Sequence, residues 1–311
     1  MADITDRGGH PRAPAWRGPD AAPPAGWGCQ LGLAGARAFA FAFAAALALA
    51  ATPPPAVAAP TATGFVSTRP APRVEHWQKR QQEISRALIN RQRMAATRLV
   101  FIGDSITDFW LFDLNPWVDG QYYGRQVWDE SFAGRVPQNL ALNIGISGDR
   151  TEHVLHRLQP RAQGGLGHLD APGLRPEFLM VMLGINNTWA AESPVADSVF
   201  DGVRAVLVAA HQRQPRARIV LQSLLPTNDP VKNREVVEVV NQRLKALTLS
   251  PEWAGFTRWL DLTPGFLDAQ GQQRPELYTD GLHPNREGYR VWRDLLVPFL
   301  QAERAREGSG Q

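Results

Sequence analysis

The stretch Arg98-Leu-Val-Phe-Ile-Gly-Asp-Ser-Ile-Thr-Asp108 decides how the chain is read. Leu99 to Ile102 are apolar without alternation and rich in β-branched and aromatic types, which predicts a short strand buried on both faces. Gly103 stops it. Ser105 then falls just past the carboxyl end of that strand, where open α/β sheets bind ligands. On its own Ser105 reads more readily as a turn or helix-capping serine, so its meaning depends on what lies downstream.

Similar apolar runs recur at Leu140 to Ile144, Phe178 to Leu183, Ile219 to Leu224 and Phe256 to Leu262. Helical patterns fill the gaps at Thr151 to Leu158, Val195 to Gln214, Val231 to Leu247 and Arg286 to Leu300. Ahead of the first strand, an amphipathic segment from about Val74 to Ala95 carries Trp77, Ile84, Leu88 and Ile89 and predicts a leading helix. Strands alternating with helices imply an α/β fold, with a parallel sheet covered on both faces and right-handed crossovers. The expected domain spans residues 74–303, after a Pro/Thr linker at 59–73 and before a disordered tail at 304–311.

Chemistry in such a fold sits at the strand ends. The second strand runs into Asn143-Ile-Gly-Ile-Ser-Gly-Asp-Arg-Thr151, where Gly148 precedes a helix and can offer a backbone N–H to a ligand. A glycine that merely makes the turn fits equally well. The third strand ends in Leu183-Gly-Ile-Asn-Asn187, and Asn186 would project an amide into the same crevice, although an asparagine there is commonly a turn former. Before the last helix stands Tyr278-Thr-Asp-Gly-Leu-His-Pro-Asn285. Pro284 biases His283 toward extended backbone, and the spacing of three lets the Asp280 carboxylate turn back to the imidazole.

Four separated blocks, Gly103-Asp104-Ser105, Gly148 within Ser-Gly-Asp, Asn186 within Gly-Ile-Asn-Asn, and Asp280-Gly-Leu-His283-Pro-Asn, together resemble the GDSL/SGNH hydrolases in that family's order. Trp128-Asp-Glu130, Leu142 to Thr151 and His153 to Leu158 look most like the branch near the platelet-activating-factor acetylhydrolase catalytic subunits and related secreted bacterial esterases. The resemblance covers roughly residues 96 to 300. It implies a flavodoxin-like, three-layer α/β/α fold around a central parallel five-stranded sheet, and serine hydrolysis of esters without a metal or other cofactor. Residue by residue it implies Ser105 as nucleophile, His283 as its base and Asp280 as the carboxylate that orients the imidazole. The N–H groups of Ser105 and Gly148 and the side-chain amide of Asn186 would form the oxyanion hole. Asp104 reads as a structural partner, since serine catalysis already has its base. The family's third block more often ends in Asn-Asp; here Asn187 stands in the second place.

The expected activity is removal of a short acyl group, acetyl above all, from a carbohydrate, lipid or small alcohol. Transfer of that acyl group to another alcohol uses the same residues, and a catalytically silent envelope-binding module is a reading against which the intact set argues. A homodimer stays open, because the acetylhydrolase subunits of that family pair.

The 311 residues are 44% hydrophobic with a formal net charge of +3. No run of Lys or Arg is dense enough for a nucleic-acid face. Residues 1–58 read as an extension and signal peptide: Arg37, the apolar stretch Ala38 to Ala51, three prolines and Ala56-Val-Ala58, with cleavage expected after Ala58 and hence a secreted or periplasmic protein. Anchoring through residues 38–51 is the alternative. Cys29, the single cysteine, would leave with the leader. His153 and His156 lack a third partner for a metal, and Asn186-Asn-Thr188 is formally a glycosylation sequon. Trp110, Trp128 and Trp189 lie near the motif blocks and could line a pocket or fill the core. The segments from Phe109 to Pro137 and from Gln159 to Pro176 are the expected pocket walls.

Overall fold

The computed structural model describes residues 64–73, 77–116, 119–189 and 192–308, so the leader expected over residues 1–58 lies outside the described residues. Five strands form the sheet: β1 (Leu99–Gly103), β2 (Ala141–Asn143), β3 (Phe178–Met182), β4 (Arg218–Gln222) and β5 (Thr257–Leu260). All pairings are parallel and the spatial order is β2-β1-β3-β4-β5. Every residue of β1 to β4 is buried, as the unbroken apolar runs require, while edge strand β5 is only partly so. The helices are α1 (Trp77–Leu88), α2 (Arg91–Ala96), α3 (Ser105–Asp108), α4 (Arg125–Ser131), α5 (Thr151–Leu158), α6 (Val195–Arg213), α7 (Pro230–Lys232), α8 (Glu238–Leu249), α9 (Thr263–Phe266) and α10 (Arg286–Gly308). A single π turn, Asn233–Val237, joins α7 to α8.

Strand order reverses between β1 and β3. The chain leaves β1 to build β2 on one side and returns to build β3 on the other, so the loops after β1 and β3 part and leave a crevice at their carboxyl ends. Beneath it Phe101 of β1 meets Trp110, Trp128 and Phe132 edge-on, with centroids 5.1–6.3 Å apart. Trp110 and Trp128 are therefore core residues, not pocket lining.

Three expected boundaries move. The leading helix breaks into α1 and α2, because Asn90 accepts the Arg93 N–H at 2.9 Å and caps a new helix, leaving Ile89 78% exposed. Residues 64–73, expected within the linker, pack on the domain: Ser67 is fully buried, its hydroxyl donates to the Ser198 carbonyl, and its own carbonyl accepts from Thr151 Oγ1, both at 2.8 Å. At the other end α10 continues through the expected tail to Gly308, since Glu303 is buried against Arg258 and Arg304 pairs with Glu177.

Candidate active site

The turn after β1 is tight because Gly103 has no side chain. A Cβ there would stand 2.1 Å from Thr107 Oγ1 and 2.4 Å from the Met182 carbonyl oxygen, so only glycine lets β1 meet β3 and turn at once into α3. Asp104 caps that short helix, with Oδ1 accepting from the Ile106 N–H at 3.0 Å. Burial pushes its carboxyl up to about 7, partly countered by that hydrogen bond and by His283, and its Oδ2 has no partner among the described residues. Asp104 thus holds the turn, as its sequence context implied.

Ser105 opens α3 and is 5% exposed. Its Oγ lies 2.9 Å from His283 Nε2, and His283 Nδ1 lies 2.7 Å from Asp280 Oδ2. The loop that brings the last two residues is self-supporting. Asp280 Oδ1 accepts the N–H groups of Leu282 and His283 at 3.0 and 2.8 Å, and the Thr279 N–H donates to the His283 carbonyl. Burial alone would raise the Asp280 carboxyl, but the His283 ring and these N–H groups outweigh it and hold the group below its ordinary value, as a carboxylate. Phe109 packs its ring 4.9 Å from the imidazole.

Gly148 has φ +78°, a left-handed conformation that glycine adopts without strain. Asn186 lies in the 3₁₀ turn Ile185–Trp189 after β3, and its Nδ2 donates to the Asp149 carbonyl at 2.9 Å. One amide hydrogen is used there, and among the described residues the other has no acceptor and is open to a ligand. Neither the Ser105 nor the Gly148 N–H finds an acceptor among the described residues. The fold therefore gathers Ser105, Gly148, Asn186, Asp280 and His283 at one end of the sheet.

Supports that the sequence did not advertise surround them. Arg80 of α1 spans Asp108 Oδ1, the Gly145 carbonyl and the Asn143 carbonyl at 2.7, 3.2 and 2.9 Å, clamping the β2 loop to α3. Asp149 and Arg157 form a fully buried pair at 2.8 Å. Arg73, from the segment read as linker, reaches the Ser147 carbonyl and Asp149. Trp189, 51% exposed, carries Lys232 Nζ 3.8 Å above its ring, and a polar stretch ahead of α7 adjoins the Asp280 loop where the Asn228 N–H donates to the Gly281 carbonyl. Of the second expected wall, Gln159 to Pro176, Gly173 faces Arg91 and Ala95 of α2, which lead into the opposite end of β1, whereas His168 Nδ1 lies 3.3 Å from the Nη1 of buried Arg157.

His153 and His156 have other work. His153 Nδ1 accepts the Arg150 N–H at 3.0 Å, and burial pushes its pKa down to about 2, so it is a neutral helix-start acceptor. Among the described residues no group of three His, Cys, Asp or Glu side chains could hold a metal ion.

A hydroxyl held by an imidazole, itself held by a carboxylate, beside open N–H donors is suited to taking an acyl group onto serine, and with this sheet it defines an α/β serine hydrolase. The profile of the GDSL-like lipase/acylhydrolase family matches residues 101–291. The chain belongs to that family and is a serine hydrolase acting on ester bonds. It is 32% identical over 216 residues to the platelet-activating factor acetylhydrolase IB subunit alpha1 of Bos taurus, covering 68% of this chain and 80% of that protein. The Homo sapiens subunit is 34% identical over 213 residues, covering 65% and 76%. A crystal structure of a GDSL-like lipase from Bacteroides thetaiotaomicron shares the fold, with a TM-score of 0.51 at 18% identity over 73% of this chain and 98% of that one.

Proposed function

We propose that the protein is a secreted esterase that removes short acyl groups, acetyl foremost, from a carbohydrate, lipid or small alcohol through an acyl-serine intermediate. One observation carries the reading: the unbroken line Ser105 Oγ, His283 and Asp280 at 2.9 and 2.7 Å. In this mechanism His283 takes the hydroxyl proton as Ser105 attacks the ester carbonyl, and Asp280 stabilises the imidazolium that forms. The negative charge that develops on the carbonyl oxygen is met by the N–H groups of Ser105 and Gly148 and the Asn186 amide. His283 returns the proton to the leaving alcohol; water then repeats the sequence on the acyl-serine.

The short acyl group is supported by the closeness of the crevice, since Ser105, Asn186 and His283 are each less than a tenth exposed. The acetylhydrolase names of the relatives point the same way. Secretion is supported by the leader pattern of residues 1–58, and an exported chain beginning at Ala59 would bear it out. The activity is tested by p-nitrophenyl esters of rising chain length, with the protein from residue 59 beside Ser105→Ala. Acetate turnover that fades by octanoate and vanishes in the variant is expected; equal activity in the two proteins would refute the assignment of Ser105.

A further inference from the structure

Gly148 shares a peptide plane with Ser147. In a trans peptide the C=O of one residue and the N–H of the next point to opposite sides, so whatever holds the Ser147 carbonyl also aims the Gly148 N–H. That carbonyl accepts from Arg73 Nη1 at 2.9 Å. The same nitrogen lies 3.2 Å from Asp149 Oδ1, whose other oxygen accepts from buried Arg157. The Arg73 side chain is 8% exposed, and its guanidinium atoms lie 3.0–3.4 Å from where a Gly148 Cβ would stand.

The need for such a hold follows from the residue. Glycine is the least restrained residue in φ and ψ, so the two planes that flank Gly148 keep their directions only through outside contacts. The following plane is fixed locally, by the Asp149 N–H donating to the Ile146 carbonyl at 3.1 Å. The preceding plane, which carries the Gly148 N–H, is fixed from 74 residues away by Arg73. Arg73 in turn is tethered by its nearest neighbours in the chain, where the Ala71 N–H donates to the Glu152 carbonyl at 3.0 Å.

We infer that Arg73 is a positioning residue for ester hydrolysis, holding the Ser147–Gly148 peptide so that its N–H faces the crevice. By donating to the carbonyl of that peptide it also polarises the plane and strengthens the N–H as a donor. Arg73 touches no reacting atom; it acts through one peptide. The inference rests on the reading of Gly148 as an oxyanion donor.

The test compares Arg73→Gln and Arg73→Lys with Ser67→Ala, a change in the same segment that leaves the Ser147 carbonyl untouched. Hydrolysis of p-nitrophenyl acetate is measured well below each protein's melting temperature, together with inhibition by a boronic acid that forms a tetrahedral adduct on the serine. Arg73→Gln is expected to lower kcat about 10- to 100-fold with KM within about twofold, and to weaken boronate binding by a similar factor, less than the ~10²–10³ that outright removal of an oxyanion donor costs, because the Gly148 N–H stays and only its aim is lost. Arg73→Lys keeps a cation beside Asp149 and should fall between; it carries the test if the glutamine variant does not fold. Ser67→Ala should melt lower with kcat unchanged. A folded Arg73 variant with wild-type kcat and boronate affinity would overturn the inference, as would an equal loss in Ser67→Ala. Activity that survives Ser105→Ala would instead overturn the catalytic reading itself.

Discussion

Asn187 occupies the position where the family more often carries aspartate, and its contacts explain the amide. Oδ1 accepts the Thr151 N–H at 3.0 Å, while Nδ2 donates to Oε2 of the buried Glu152 at 3.0 Å. An aspartate would keep the first bond and turn an oxygen toward the Glu152 carboxylate. Asn187→Asp is therefore expected to cost about 1–3 kcal/mol of stability at pH 8, and less toward pH 5, where the introduced carboxyl can take a proton. Melting curves at both pH values check this; an equal loss at each would mean that charge is not the cause. Asp104 gives a second pH dependence. Burial first, against the Ile106 hydrogen bond, raises its folded value to about 7. Between the ordinary carboxylate value and about 7 the folded state keeps a proton that the unfolded chain has released, so stability falls as pH rises through that window. Asp104→Asn keeps the cap oxygen and removes the titration. Its melting temperature should decline less than the wild type's between pH 5 and pH 8, and parallel profiles would assign the decline to other groups.

At the scale of elements, what could be read from the sequence depended on how local the deciding contacts are. Helix α5 begins and ends at the residues expected, Thr151 and Leu158, because its apolar period and the turns beside it are all within the segment. The strands were legible for the same reason: a sheet buried on both faces leaves an unbroken apolar run. The crevice residues were legible as positions, since each stands at the end of such a run, but their supports were not. The segment 64–73 has linker composition, and nothing in it shows that Ser67 will meet Ser198, 131 residues on. The tail expected from residue 304 likewise shows no local sign that Arg304 will meet Glu177 at 3.0 Å, or that Glu303 just ahead of it will meet Arg258 at 2.7 Å and Arg218 at 3.9 Å. Glu303 is 1% exposed, whereas its arginines partly reach water. Glu303→Ala should cost about 1–3 kcal/mol, short of a fully buried pair because the stranded cations can be solvated. Urea denaturation measures this, and kcat on p-nitrophenyl acetate should not change, because the contact lies at β5 and the far part of α10. A loss below about 0.5 kcal/mol would mean that the helix end adds little to the fold.

Across the whole molecule, the proposed catalytic line joins residues 178 positions apart, and nothing local keeps Ser105 and His283 within 2.9 Å. The core does so. Tyr289 of α10 donates its hydroxyl to the Ile106 carbonyl at 2.8 Å, directly under the turn that carries Ser105. The same ring packs 4.6 Å from Trp110, which lies 5.1 Å from Trp292, and Trp292 donates to Gln222 at the end of β4 at 2.6 Å. The helix that follows His283 thus locks the turn that carries Ser105 through an aromatic cluster buried in the sheet's face. The site and the core should then be lost together. In a urea titration, intrinsic tryptophan emission, to which the buried Trp110, Trp128 and Trp292 contribute, and hydrolysis of p-nitrophenyl acetate are expected to follow one superimposable transition, as a single cooperative unit requires. Activity that disappears at clearly lower urea than the emission change would show instead that the crevice loops open as a separate unit, and that Tyr289 couples them to the core less tightly than its geometry implies.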